Sequence, residues 1–225
     1  MHKIIDALLR KISSTYMNRV DHYGFEYFAH YIRHASAWYG FAMRGYYRYV
    51  AYSCVATPIK IPSNGTVLDI GCGVGLLVEQ FCRLGYQAIG VDVHGAPIEH
   101  SLCPDRCFLV ATTAQLNYPD DYFDLVVSRE VLEHISSAEI DRCIREWDRV
   151  GKGAMVHIIA VTERGQSATH DPTHINVQPE AWWVDKFRSH GYDTIGSTTR
   201  PLSLFGSWGY FRMRTKPSLE VQSST

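Results

Sequence analysis

From residue 66 onward, short runs rich in Val, Ile and Leu alternate with stretches whose apolar residues recur at helical spacing. The runs TVLDI (66–70), QAIGVDV (87–93), CFLVA (107–111), FDLVVS (123–128) and AMVHIIAV (154–161) have the length and β-branched content of buried strands. Between and after them, LLVEQFCRLG (76–85), APIEHSL (96–102), SAEIDRCIREWDRV (137–150) and PEAWWVDKFRSHG (179–191) predict helices, and DTIGST (193–198) and YFRMRT (210–215) predict two closing strands. This alternation predicts an α/β fold, a doubly wound, seven-stranded, mostly parallel sheet with helices on both faces. Ligands of such sheets bind beyond the carboxyl ends of the strands.

Residues 1–60 carry a different pattern, crowded with aromatics and free of Gly/Pro breaks, and ATPIKIPSNG marks the change of composition. We read 1–60 as a helical segment, 61–215 as the α/β core and 216–225 as a loose tail. Tyr23, Tyr27 and Tyr31 recur at i, i+4 and i+8, with Phe28, Trp38 and Phe41 nearby. That spacing suits helices packed on the core, and equally a lid whose rings wall off a pocket. Arg19, Arg33, Arg44 and Arg48 interleave with the rings, an arrangement that single-stranded nucleic acid also uses.

Composition narrows the picture. The chain of 225 residues suffices for one well-buried domain, and its formal net charge of -1 gives no global pull toward nucleic acid or an anionic membrane. The first twenty residues are interrupted by Asp6, Arg10 and Lys11, unlike a signal peptide, and no run approaches the roughly 18 apolar residues of a spanning helix. The six cysteines, at 54, 72, 82, 103, 107 and 143, have no framework spacing. Reduced thiols in a cytoplasmic protein are expected.

The chemistry begins at VLDIGCGVG, where Gly71, Gly73 and Gly75 sit between a strand and a helix and let the backbone approach a ligand closely. Leu76 stands where a dinucleotide-binding loop would have its last glycine, which argues against a nicotinamide cofactor. Asp92 ends the next strand, in GVDVH, placed to accept the two hydroxyls of a ribose.

Through VLDIGCGVG, GVDVH and LNYPDDYFDLVVSREVLEHI, residues 66–195 resemble the class I S-adenosylmethionine-dependent methyltransferases, whose fold is the Rossmann-like sheet described above. The resemblance implies that Asp69, Gly71, Cys72, Gly73 and Gly75 line the amino-acid end of S-adenosylmethionine. It implies that Asp92 and Val93 hold the ribose, and that Thr112, Thr113 and Ser128 border the rest of the cofactor. The family's usual acidic residue against the adenine amino group falls on Thr112, a departure from the pattern.

SREVLEHI follows the fourth strand. If a helix starts there at once, Glu130, Glu133 and His134 share one face of its first turn and point toward the cofactor. Two carboxylates and an imidazole form a mixed oxygen and nitrogen ligand set, which His174, or His170 in its place, would complete from THDPTHINVQPEAWW. This combination resembles metal-dependent O-methyltransferases that act on the terminal ribose of small RNAs, and ubiquinone-biosynthesis O-methyltransferases carry the same EVLEH string. The resemblance implies a divalent metal on Glu130, Glu133, His134 and His174. The alternative is metal-free chemistry in which His134 or His174 moves the proton and Glu133 assists. A second cluster, His94, His100, Cys103 and Cys107, matches no common zinc spacing and reads as buried thiols in a connection.

The expected function is methyl transfer to a hydroxyl of a small sugar-containing or phenolic metabolite. N-methylation, terminal-ribose methylation of RNA, and a non-catalytic cofactor- or partner-binding protein of the same fold are the alternatives.

Overall fold

The structure, a computed structural model, describes residues 38–56, 61–162, 171, 173–197 and 208–215. The N-terminal tyrosines 23, 27 and 31, Phe28, Arg19, Arg33, His170, the boundary at residue 60 and the 216–225 tail lie outside the described residues.

Seven strands form one sheet: β1 (Thr66–Ile70), β2 (Gln87–Asp92), β3 (Cys107–Leu109), β4 (Leu125–Arg129), β5 (Ala154–Ala160), β6 (Tyr192–Ser197) and β7 (Trp208–Thr215). Their order is β3-β2-β1-β4-β5-β7-β6. The first five run parallel, whereas β7 inserts antiparallel between β5 and β6. The order reverses between β1 and β4, so the crevice at the carboxyl ends of these neighbours is where such a sheet binds ligands.

Side chains alternate across the sheet because strand residues point to opposite faces in turn. Val67, Leu125, Val127, Val156 and Ile158 face one layer with the helices α1 (Trp38–Val55) and α2 (Leu76–Arg83). Leu68, Ile70, Val126, Met155 and Ile159 face the other. There α4 (Ile140–Val150) and α5 (Glu180–Ser189) cover them, while the short α3 (Gly95–Glu99) follows β2. Both faces of the central strands are thus dry, as their nearly continuous apolar runs require.

The helices form where the period demands. In α4, Ile140, Cys143, Ile144, Trp147 and Val150 share the buried stripe, and the Trp147 indole N–H donates to the Thr113 carbonyl at 2.9 Å. In α1, Tyr47, Val50, Ala51 and Cys54 are buried at i, i+3, i+4 and i+7, and the Arg44 Nε donates to the Glu79 carboxylate of α2 at 3.1 Å. Phe41, on the opposite face of α1, is exposed.

The predicted helix at SREVLEHI is absent. β4 runs to Arg129, Glu130 turns into the left-handed region at φ 56°, and only one 3-10 turn, Leu132–His134, follows. The cause is tertiary: the Glu130 N–H donates to the Ile158 carbonyl at 2.9 Å, which prolongs the β4–β5 ladder past the strand end and forbids helical continuation. The next regular helix, α4, begins only at Ile140.

Candidate active site

A cavity of about 450 Å³ opens at the carboxyl ends of β1, β2 and β4. The loop after β1 forms its floor. Gly71 sits at φ 70°, and a Cβ there would lie 2.3 Å from Cγ2 of Val131, so only glycine fits between the two segments. Its N–H and that of Cys72 donate to the Val91 carbonyl at 2.8 and 3.1 Å, tying the loop to β2.

Asp92 ends β2 and is nearly buried. Its Oδ2 accepts the Gly73 N–H at 2.9 Å and its Oδ1 accepts the His94 N–H at 2.9 Å. Two backbone donors fix the carboxylate in the cavity wall, and each oxygen keeps a lone pair for a ligand hydroxyl. Asp69, also on the wall, is different. Burial, with Cys107 and Asp92 close by, holds its carboxyl well above the ordinary range, against the opposing pull of Arg129.

Cys72, Val93, Thr112 and Thr113 line the cavity. The Thr112 hydroxyl accepts the Ala114 N–H at 3.1 Å, so its own hydrogen is left to serve a ligand acceptor. Two of the expected contacts are corrected. Gly75 does not line the cavity; it is at φ 83°, and a Cβ there would lie 2.7 Å from the Cys107 sulfur, so this glycine serves loop packing. Ser128 is turned inward, with its hydroxyl 2.8 Å from Nδ1 of the fully buried His157. The parity of β4 decides this, since neighbouring strand residues face opposite sides.

On the β4 side the groups separate. Glu130 stays at the cavity, where its Oε2 pairs with Arg129 at 2.9 Å. Arg129 also donates to the Tyr47 hydroxyl at 2.7 Å and lies over the Tyr46 and Tyr47 rings. Glu133 is fully buried: Oε1 accepts the Ala160 N–H at 3.1 Å, Oε2 has no hydrogen-bond partner among the described residues, and burial pushes the carboxyl up to about 8. Donor atoms of Glu133, His134 and His174 all lie within 4.8 Å of one another. Glu130 is not in that group, a correction to the four-ligand expectation that follows from its left-handed backbone and its pairing with Arg129.

His134 alone of these three lines the cavity. Its Nδ1 lies 3.1 Å from both the carbonyl and the hydroxyl of Thr173. The Thr173 hydroxyl donates to Asp171 at 2.5 Å, so towards His134 both Thr173 oxygens are acceptors and Nδ1 must carry the proton. The ring's lone pair is then on Nε2. Burial, reinforced by the neighbouring His174, pulls the imidazole down to about 4, which keeps it neutral at pH 7. His174 stands edge-on to His134, with ring centroids 4.6 Å apart, and its Nε2 is 3.8 Å from Asp171.

Two imidazoles and one carboxylate with an unpartnered buried oxygen fit a divalent cation. The residues missed in the sequence are Arg129 and Tyr47 on the wall and the Asp171–Thr173 support of His134. Arg129 stood inside SREVLEHI, but only the fold reveals that it faces the cavity.

Residues 68–157 match the family model described as a methyltransferase domain. A ubiquinone biosynthesis O-methyltransferase of Rhodopseudomonas palustris (strain BisB5) is 42% identical over 95 residues, covering 39% of this chain and 38% of the relative. The chain therefore matches less than half the length of that relative. Among solved structures, the Burkholderia thailandensis 1,6-didemethyltoxoflavin-N1-methyltransferase, with S-adenosylhomocysteine bound, is similar with a TM-score of 0.60 at 15% identity, over 96% of this chain and 90% of that one. The [4+2]-cyclase SpnF is similar with a TM-score of 0.61 at 16% identity, over 75% of this chain and 81% of that one. A cyclase on the same scaffold shows that this likeness speaks for the fold and that the site must speak for the chemistry.

Proposed function

We propose that this chain, which belongs to the class I S-adenosylmethionine-dependent methyltransferases through its domain at residues 68–157, methylates a hydroxyl of a small-molecule acceptor. The observation that carries the reading is Asp92, a carboxylate clamped by Gly73 and His94 beside a glycine loop and a cavity of about 450 Å³. That is the size class of a cofactor site, and the held carboxylate suits a ribose diol. Sequence similarity to the curated O-methyltransferase supports the hydroxyl acceptor over the amine.

S-adenosylmethionine supplies an electrophilic methyl group on a sulfonium when bound. Gly71 and Gly73 admit the cofactor's amino-acid end, Asp92 orients its ribose, and Thr112 and Thr113 border its base. His134, neutral and with its lone pair on Nε2, takes the proton of the acceptor hydroxyl from the β4 side of the cavity. Positioning does the rest, because methyl transfer asks the protein mainly to hold the nucleophile in line.

The unpartnered Glu133 Oε2 favours a second, metal-assisted version of the same reaction. Glu133, His134 and His174 would hold a divalent cation, which would lower the acceptor's pKa and suit diols and catechols. A cytoplasmic setting accords with six free cysteines, and no helix among the described residues is long and apolar enough to cross a membrane.

The test is to incubate the protein with S-adenosylmethionine and panels of phenols, catechols and sugars, following S-adenosylhomocysteine by mass spectrometry and locating the methyl group in the product. Methyl on oxygen is expected. Methyl on nitrogen would overturn the acceptor class, and cofactor binding without turnover on any acceptor would support a non-catalytic protein. Glu133→Gln, which keeps an oxygen for the Ala160 N–H, should leave S-adenosylhomocysteine affinity intact and lower turnover on the order of tenfold or more. Turnover unaffected by a chelator, with no metal in the purified protein, would sink the metal version.

A further inference from the structure

Beneath the glycine loop lies a pair of sulfurs that the methyl-transfer chemistry does not use. Cys72 lines the cavity, and its side chain packs on Gly90 of β2, so closely that a Cβ on Gly90 would lie 2.7 Å from the Cys72 sulfur. Gly90 is in turn the register partner of Cys107 in β3. Adjacent strands are about 4.8 Å apart, which brings Cys107 beside Cys72. The Cys107 sulfur also lies under Gly75, at 2.7 Å from where a Cβ would be. The loop residues at 72 and 75 therefore rest on this sulfur pair.

We propose that Cys72 and Cys107 form a peroxide-sensitive thiol pair whose oxidation to a disulfide distorts the Gly71–Gly75 loop and weakens cofactor binding. The affinity part rests on the reading that the cavity takes S-adenosylmethionine. Hydrogen peroxide is the oxidant. The Cys107 thiolate attacks one peroxide oxygen, the O–O bond breaks, and the departing hydroxide takes up a proton to leave as water. Cys107 is then a sulfenic acid. The Cys72 sulfur attacks the Cys107 sulfur, the S–S bond forms, the S–O bond breaks, and the second oxygen leaves as water with the Cys72 proton. Two thiols and one peroxide become one disulfide and two waters.

Chemistry and mechanics agree with this order of attack. The neighbouring Cys72 draws the Cys107 thiol down to about 7 against the effect of burial, whereas Cys107 and burial together push the Cys72 thiol up, so Cys107 is the better nucleophile of the two. A disulfide shortens the contact to about 2.0 Å. Cys72 must then move, yet its N–H is bonded to Val91 and its carbonyl accepts the Gly75 N–H at 2.9 Å. The strain passes to Gly73, whose N–H holds Asp92.

The experiment compares reduced and peroxide-treated protein by peptide mass mapping and by calorimetry with S-adenosylhomocysteine. A Cys72–Cys107 bridge, affinity about tenfold weaker, equal to the net worth of one or two hydrogen bonds, and recovery with dithiothreitol are expected. Cys107→Ala should bind the ligand as the reduced protein does and lose the peroxide response, while Cys103→Ser should keep it. A Cys103–Cys107 bridge instead, or the expected bridge with affinity unchanged, would overturn the proposal. Reduced protein that does not bind S-adenosylhomocysteine would instead overturn the cofactor reading and the affinity part with it, and the mapped bridge would then decide the thiol pair separately.

Discussion

Asp92 and Glu133 are both acidic residues removed from water, one on each side of the same sheet crevice, and they are handled in opposite ways. Asp92 commits both oxygens to backbone N–H groups of the loop and of the segment after β2, so its position is fixed before a ligand arrives. Glu133 gives one oxygen to the Ala160 N–H and leaves the other without a hydrogen-bond partner among the described residues, and burial pushes its carboxyl up to about 8. A satisfied buried carboxylate is a pre-built binding group. A half-satisfied one is costly unless something else, a proton or a cation, completes it. In the proposed function, the Asp92 side would then be a rigid wall that holds the cofactor and the His134 side, backed by Glu133, a wall that exchanges protons or metal.

Gly71 is the point where the two walls touch, so its substitution should have the largest effect. Gly71→Ala should cost about 2–4 kcal/mol of stability and abolish S-adenosylhomocysteine binding, because the new methyl meets Val131 and the backbone is left-handed. Combining it with Val131→Ala should restore only the steric part, leaving about 1 kcal/mol of backbone strain in denaturant melts. Full restoration would show that φ at this position is relaxed.

Asp92→Ala removes the fixed wall's anchor. Affinity for S-adenosylhomocysteine by calorimetry should fall on the order of 100-fold, the worth of two charge-assisted hydrogen bonds, with the fold retained. An effect as small as that of Glu133→Gln would erase the distinction between the two walls.

Ser128 and His157 offer a third arrangement of buried polar groups, in which the serine hydroxyl meets Nδ1 of the imidazole while Nε2 has no hydrogen-bond partner among the described residues. Burial holds His157 near 3, below the roughly 6.5 of an unfolded chain. The unfolded state therefore binds the extra proton, and this contribution to stability is complete above pH about 6.5 and lost as pH falls toward 3. Wild type minus His157→Gln should show an acid slope of up to about 1.4 kcal/mol per pH unit within that window. Identical acid limbs would refute the buried neutral imidazole.

The smallest effect is expected at Glu130. Glu130→Gln removes a partly exposed pair with Arg129 and should change stability by at most about 1 kcal/mol, leaving any bound metal in place. Loss of metal in this variant would return Glu130 to the ligand set.

What the sequence determined by itself was everything governed by short-range rules. Short β-branched runs located the five parallel strands β1–β5, and the glycine loop between a strand and a helix, with Asp92 at the next strand end, marked one wall of the cavity. These positions are legible because backbone conformation and strand parity act over a few residues. Only the tertiary structure decided the other wall. SREVLEHI has a helical pattern, yet the bond from the Glu130 N–H to β5 stops a helix before it starts, so Glu130 turns to Arg129 while Glu133 goes inward. Ser128 looked like a site residue and is a core residue, because its side faces His157 on the neighbouring strand. His174 comes from the segment that follows β5 and meets His134, an encounter set by where that strand delivers the chain. Contacts of that sequence separation depend on strand order, which no local pattern encodes.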